Sequence, residues 1–317
     1  MTKKKKIILG TIAGLCIAAV ISVAAYGMIL YLDYIGTSFT VNDTLPNGQG
    51  TTARVILLGG QSNAAGCSRD EYLQKNVSSE KYEEYQNGYD NVYINYFVSD
   101  NNISNGFVKC GAMQGETGGF FGPELGMAEA LSKKYPNEKI FIIKYTWSGT
   151  DLFSLWLSPS SKGKTGDLYQ AFVRFTQTSI KYLESKDYNV VIEGMCWMQG
   201  ESDSFSTENA TNYEKHLSNF IKDVRKTFKR YASKDGIAFV DAYIADNPVY
   251  WVYCDLVNES KRRVSQESEI NVVVDTVEQG LSCSAEPEEA PDLAHYDSMS
   301  EIKLGHLFAE EIQKFFD

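Results

Sequence analysis

Four apolar residues, Val55-Ile-Leu-Leu58, stand between small and polar neighbours and stop at Gly59-Gly60. A run this short, branched and apolar on both faces reads as a strand covered on both sides, as the inner strands of parallel sheets are. It predicts a strand over 54–58. The turn after it carries Gln61, Ser62 and Asn63 to the strand's carboxyl end, where open α/β sheets bind ligands. The same residues also suit an ordinary polar turn with a helix cap. The rest of the chain decides between these two readings.

The pattern recurs. Further strands are predicted over 91–98, 139–145, 188–197, 237–244 and 270–275, and helices over 70–85, 166–185, 208–232, 255–268 and 298–316. Gly122-Pro123-Glu124 opens another helix: a proline and an acid occupy its first turn, and Leu125, Ala128 and Leu131 follow at helical spacing. Strands alternating with helices of this length imply an α/β fold, a three-layer α/β/α sandwich with a mostly parallel central sheet. Residues 99–121, rich in Gly, Asn and Ser, read as a long loop beside a site. With no internal repeat and no second linker, one domain is expected over 51–317.

The amino terminus reads differently. Lys3 to Lys6 precede a stretch, 7–32, that holds no charged residue before Asp33. About 20 apolar residues span a bilayer, and flanking lysines favour a cytoplasmic amino end. This predicts one transmembrane signal-anchor helix over 1–32, with a polar linker over 33–50 and the domain outside the cytoplasm. The competing reading is a signal peptide cut near Val23-Ala24-Ala25, which would release the domain.

Of the 30 Lys and Arg, four fall in residues 1–32 and no acid does, so the remainder carries 26 against 41 Asp and Glu, a net charge of −15. Such a surface repels phosphate backbones, which excludes nucleic acid as a natural partner. Five cysteines follow the apolar segment: Cys67, Cys110, Cys196, Cys254 and Cys283. They lack C-x-x-C spacing and a neighbouring His cluster, so no metal site is expected. An odd number permits at most two bridges, and Cys196, within a strand pattern, reads as a buried free thiol.

Three polar clusters remain: Gln61-Ser62-Asn63, Gln199-Gly200-Glu201-Ser202-Asp203 and Asp292-Leu-Ala-His295. The first two follow predicted strands, and parallel strands gather their carboxyl ends on one edge. A serine nucleophile needs a base, and there are three histidines. His216 reads as an exposed residue in mid-helix and His306 as a packed or solvated one. His295, in a loop before the last helix, is the base candidate. Asp292 is spaced to hold one ring nitrogen while the other faces Ser62. The sequence after Ser62 is not the Gly-x-Ser-x-Gly of α/β-hydrolases, which disfavours a lipase of that fold.

Gly60-Gln-Ser-Asn63, Trp197-Met-Gln-Gly-Glu-Ser-Asp203 and Asp292-x-x-His295, with Phe121-Gly-Pro-Glu-Leu125 between the first two, resemble the motif set of the SGNH-hydrolase superfamily. The match is to its branch of sialate O-acetylesterases and acetylxylan esterases, similar to carbohydrate esterase family 6, and spans about 55–310. The resemblance implies a serine esterase acting on acetylated carbohydrate without a cofactor. Ser62 is then the nucleophile, His295 the base and Asp292 the orienting carboxylate. The oxyanion hole is formed by the Ser62 N–H, the Gly122 region and the Gln199 side chain. Glu201 rivals Asp292 but suits a structural role at the Gln61–Asn63 turn. Trp147, Asp151 and Trp197 fall near the expected rim as candidate sugar contacts, with core packing the better reading of Trp197. The alternatives are an acyltransferase or other envelope deacylase of the same superfamily, and a non-catalytic carbohydrate-binding protein of the cell surface.

Overall fold

The computed structural model describes residues 45–99 and 102–316. The expected anchor and most of the linker lie outside the described residues. Among these, no helix is long and apolar enough to cross a membrane.

The expected strand over 54–58 is the centre of β1, Thr52–Gly60, whose residues Val55 to Leu58 are all 0% exposed. The other main strands are β3 (Tyr89–Val98), β7 (Lys139–Thr146), β8 (Asn189–Met198), β9 (Ala238–Ala242) and β10 (Asn271–Val274). The sheet runs β10-β9-β8-β1-β7-β3, and all these pairs are parallel. Two short strands, β4 (Asn102–Ile103) and β5 (Val108–Cys110), add to β3 in antiparallel sense. A separate small ribbon joins β2 (Ser68–Arg69) to β6 (Phe120–Phe121). The segment 99–121, expected as loop, thus holds three short strands, too short for hydrophobic alternation to reveal.

Period-two alternation sorts the layers. On β8, an added Cβ at Gly194 would meet Ile312 of α8 (Ser298–Ile312), while Trp197 packs against Phe220 of α6 (Thr207–Thr227) at 4.7 Å between ring centroids. On β7, Lys144 reaches α4 (Pro123–Lys134), and Tyr145 packs against Phe175 of α5 (Asp167–Ser185) at 5.6 Å between ring centroids. One face is therefore covered by α4 and α8 and the other by α5 and α6, the three-layer arrangement expected; α7 (Cys254–Ser265) falls between α6 and α8 in the chain. The helix anticipated over 70–85 is broken into α2 (Asp70–Asn76) and α3 (Ser79–Asn87), because Ser78 caps a new start by accepting from the Lys81 N–H.

The domain begins before the expected boundary at 51. Leu45 is buried in the core, and the N–H groups of Gly48 and Gly50 donate to the carbonyls of Lys186 and Asp187. His216 corrects another expectation. It is 7% exposed and packs edge-on to Phe153, on the inward stripe of α6 with Tyr213 and Phe220. The five cysteines are all free thiols.

Chain order fixes where a site can form. From β1 the path leads toward the β3 edge, and from β8 toward the β9 edge. The two connections diverge above β1 and β8, leaving a crevice at their carboxyl ends.

Candidate active site

β1 delivers Ser62 through a turn that only glycine permits. Gly60 has φ 139°, and a Cβ there would lie 1.9 Å from the Met198 carbonyl oxygen. That carbonyl accepts the Gln61 N–H at 2.9 Å, tying the tops of β1 and β8 together. A single helical turn follows, α1 (Ser62–Ala65), closed by Gly66 at φ 91°. Ser62, 7% exposed, opens onto a cleft of about 370 Å³. His295, Asp292, Glu116, Ser148 and Arg69 also line it.

His295 Nδ1 lies 2.7 Å from Asp292 Oδ2, and Asp292 Oδ1 accepts the Ala294 N–H at 3.0 Å. Burial opposes the charge on Asp292, but its bonds to His295 and to the loop N–H groups outweigh that, and its pKa is lowered. The spacing of three residues does what the sequence suggested: carboxylate and imidazole share one side of a turn. Among the described residues no hydrogen bond joins His295 to the Ser62 hydroxyl, a contact that often tightens only around bound substrate.

Asn63 holds the histidine loop in place. Its amide donates to Glu201 Oε1 at 2.8 Å and to the Ala294 carbonyl at 3.2 Å, and its oxygen accepts the Tyr296 N–H at 3.1 Å. Ser68 adds a bond to the Tyr296 carbonyl at 2.6 Å. Glu201 is thus the carboxylate behind Asn63, 1% exposed, and Asp292 is the one bonded to the imidazole. Burial raises the Glu201 pKa, and the Asn63 bond only partly offsets it.

A family model described as "carbohydrate esterase, sialic acid-specific acetylesterase" matches residues 52–314. The chain belongs to this carbohydrate esterase family. It is therefore a carboxylic ester hydrolase. No curated protein matches its sequence. Among solved structures, a protein from Arabidopsis thaliana is similar at TM-score 0.61 and 19% identity, covering 86% of this chain and 100% of that one. NanS gives 0.62 at 15% identity over 84% and 98%. A carbohydrate acetylesterase from Xanthomonas citri gives 0.53 at 15% over 83% and 56%. At such identities the likeness is one of fold.

Two expected oxyanion donors of the esterase are committed elsewhere. Gln199 is 0% exposed; its amide donates to Asp203 Oδ2 at 2.6 Å and the Thr150 carbonyl at 2.9 Å, while its oxygen accepts from Tyr213. It knits the loops after β7 and β8 together, away from the cleft. The Gly122 N–H donates to Glu124 Oε1 at 2.9 Å. Gln61 is likewise internal, its side-chain oxygen accepting the Ser202 N–H at 3.1 Å. Asp151 and Trp147, expected at the rim, are not among the residues that line the cleft: Asp151 caps the turn at Ser154, and Trp147 is half-buried against Phe97. Trp197 is core, as expected. The residue that the β7 loop gives to the cleft is Ser148.

Other groups at the site had weaker signals in the sequence. Lys144 interrupts an apolar strand and is 0% exposed. It donates to Glu124 Oε2 at 2.7 Å and to the carbonyls of Ala65 and Gln114 at 2.9 and 3.0 Å, bracing the turn behind Ser62. A charge in such a strand does announce a buried partner; its place directly after Ile140-Phe-Ile-Ile143 gives no hint which. Lys144→Met would strand the Glu124 carboxylate and is expected to cost about 3–5 kcal/mol of stability. Urea denaturation measures this, and an unchanged midpoint would show that the pair contributes nothing. Cys67 shares the cleft, but burial, then the charges of Glu116, Glu301 and Asp292, push its thiol well above the usual range. A thiol held protonated in this way is disfavoured as a nucleophile beside Ser62.

Proposed function

We propose that the chain is an extracytoplasmic serine esterase that removes O-acetyl groups from carbohydrate through an acetyl-enzyme on Ser62. The observation that carries this reading is the Asp292–His295 pair, 2.7 Å apart, on the wall of the cleft that Ser62 also lines. Family membership supplies the reaction class.

In this mechanism Ser62 Oγ attacks the acetyl carbonyl while His295 Nε2 takes its proton. Asp292 keeps a proton on Nδ1, so that Nε2 is the basic nitrogen, and stabilises the imidazolium that forms. Negative charge on the carbonyl oxygen is met by the Ser62 backbone N–H, which in the first turn of α1 has no intrahelical partner. Collapse of the intermediate expels the sugar alkoxide, which His295 protonates. Water, deprotonated by His295, then releases acetate and restores Ser62.

The cellular address rests on sequence: Lys3 to Lys6 ahead of the uncharged stretch 7–32 support a membrane anchor with the esterase domain outside the cytoplasm.

Acetate release from acetylated xylo-oligosaccharides and from O-acetylated sialic acid, with p-nitrophenyl acetate beside them, tests the chemistry. Hydrolysis of at least one sugar ester is expected. Acyl transfer to an added sugar without free acetate would make the protein a transferase, and saturable sugar binding without ester cleavage would make it a binding protein.

A further inference from the structure

Among the described residues that line the cleft, the acidic and basic side chains besides His295 are three carboxylates, Glu116, Glu286 and Asp292, against one cation, Arg69. Two of the carboxylates are fully occupied. Asp292 holds His295 and the Ala294 N–H. Glu286 accepts from Asn76 Nδ2 and Ser298 Oγ on Oε1, and from the Ser298 N–H on Oε2.

Glu116 is different. Its Oε2 accepts from the hydroxyls of Ser99 at 3.0 Å and Ser148 at 2.6 Å, and its own N–H is fixed to the Gly66 carbonyl at 2.9 Å, at the end of the Ser62 turn. Oε1 has no hydrogen-bond partner among the described residues. The carboxylate is thus held rigidly from two strand ends and the serine turn, with one oxygen left over in a half-buried wall of the cleft. A fixed carboxylate oxygen is a strong acceptor for a sugar hydroxyl and repels a second carboxylate. Arg69 is a weak counterweight: its side chain is 47% exposed and faces Glu71 at 3.4 Å.

We infer that Glu116 is a specificity-determining residue that accepts a hydroxyl of a neutral sugar and disfavours sugars bearing a free carboxylate. The inference rests on the esterase reading above and selects within it: uncharged acetylated glycans in place of sialic or uronic acids.

The test compares O-acetylated sialic acid with its carboxyl methyl ester, reading acetate release by the full-length protein. The two differ in one charge at nearly the same shape. Wild type is expected to favour the methyl ester in kcat/KM by about tenfold or more, as like charges brought together in a binding site are costly. The preference should shrink as salt is raised. Glu116→Gln keeps an acceptor oxygen and removes the charge. With circular dichroism confirming its fold, it is expected to bring the ratio close to one. A wild-type preference for the free acid, or a ratio that Glu116→Gln leaves unchanged, would overturn the inference. Absence of acetate release from both sugars and from p-nitrophenyl acetate would instead overturn the esterase reading.

Discussion

Ser62→Ala is expected to lower kcat for acetate release by roughly 10⁵–10⁶-fold, since loss of a nucleophile removes the covalent route altogether. The fold should survive. Ser62 is 7% exposed, and what holds its turn is the backbone: the Gln61 N–H on the Met198 carbonyl, the Gly66 N–H on the Ser62 carbonyl, and Gly60 where no side chain fits. None of these needs the serine hydroxyl. Loss of activity with an unchanged denaturation midpoint is therefore the expected pair of results. Wild-type turnover by this variant would exclude the acetyl-enzyme, and loss of activity together with unfolding would place the hydroxyl in the fold instead.

The second large effect separates two carboxylates. Asp292→Asn is expected to reduce kcat by about 10⁴-fold with little change in stability, because an amide N–H aimed at Nδ1 turns the imidazole into the tautomer whose Nε2 already bears a proton. Such a ring cannot deprotonate Ser62. Glu201→Gln should behave in the opposite way. Gln keeps an oxygen to accept from Asn63 Nδ2, so the histidine loop stays anchored and kcat stays near the wild-type value.

What Glu201→Gln changes is the pH dependence of stability. Burial raises the Glu201 pKa in the folded state, so folding takes up a proton there. The wild-type fold is therefore favoured below the unfolded value of about 4.3 and loses that advantage as pH climbs through the higher folded pKa. The Gln variant should lack this decline. Urea midpoints across that range, with kcat at neutral pH, measure both effects. A collapse of kcat in Glu201→Gln with Asp292→Asn still active would reverse the two assignments.

These variants probe contacts that were unequally legible in the chain. The Asp292–His295 pair could be anticipated because three residues separate its members, and local spacing constrains geometry. The strand–helix alternation was readable for the same reason: apolar patterns of period 2.0 and 3.6 are properties of neighbouring residues. The short strands within 99–121 were not, since two or three residues carry no period. His216 was misplaced because charged neighbours such as Glu214 and Lys215 hid that it lies on the inward stripe of α6.

By itself the sequence determined the layered α/β class, the order of strands and helices, the turn that presents Ser62, and which acid and base adjoin each other. Tertiary structure alone decided how residues far apart in the chain use their hydrogen bonds. It turned Gln199 inward onto Asp203 and Thr150, gave the Gly122 N–H to Glu124, and set Lys144 beneath the Ser62 turn. It also left Glu116 Oε1 without a hydrogen-bond partner among the described residues at the cleft wall. The reason is that hydrophobic pattern specifies which face of an element is buried, whereas a polar side chain has several possible partners. Which partner it takes is fixed only when the packed elements bring one donor and one acceptor within about 3 Å.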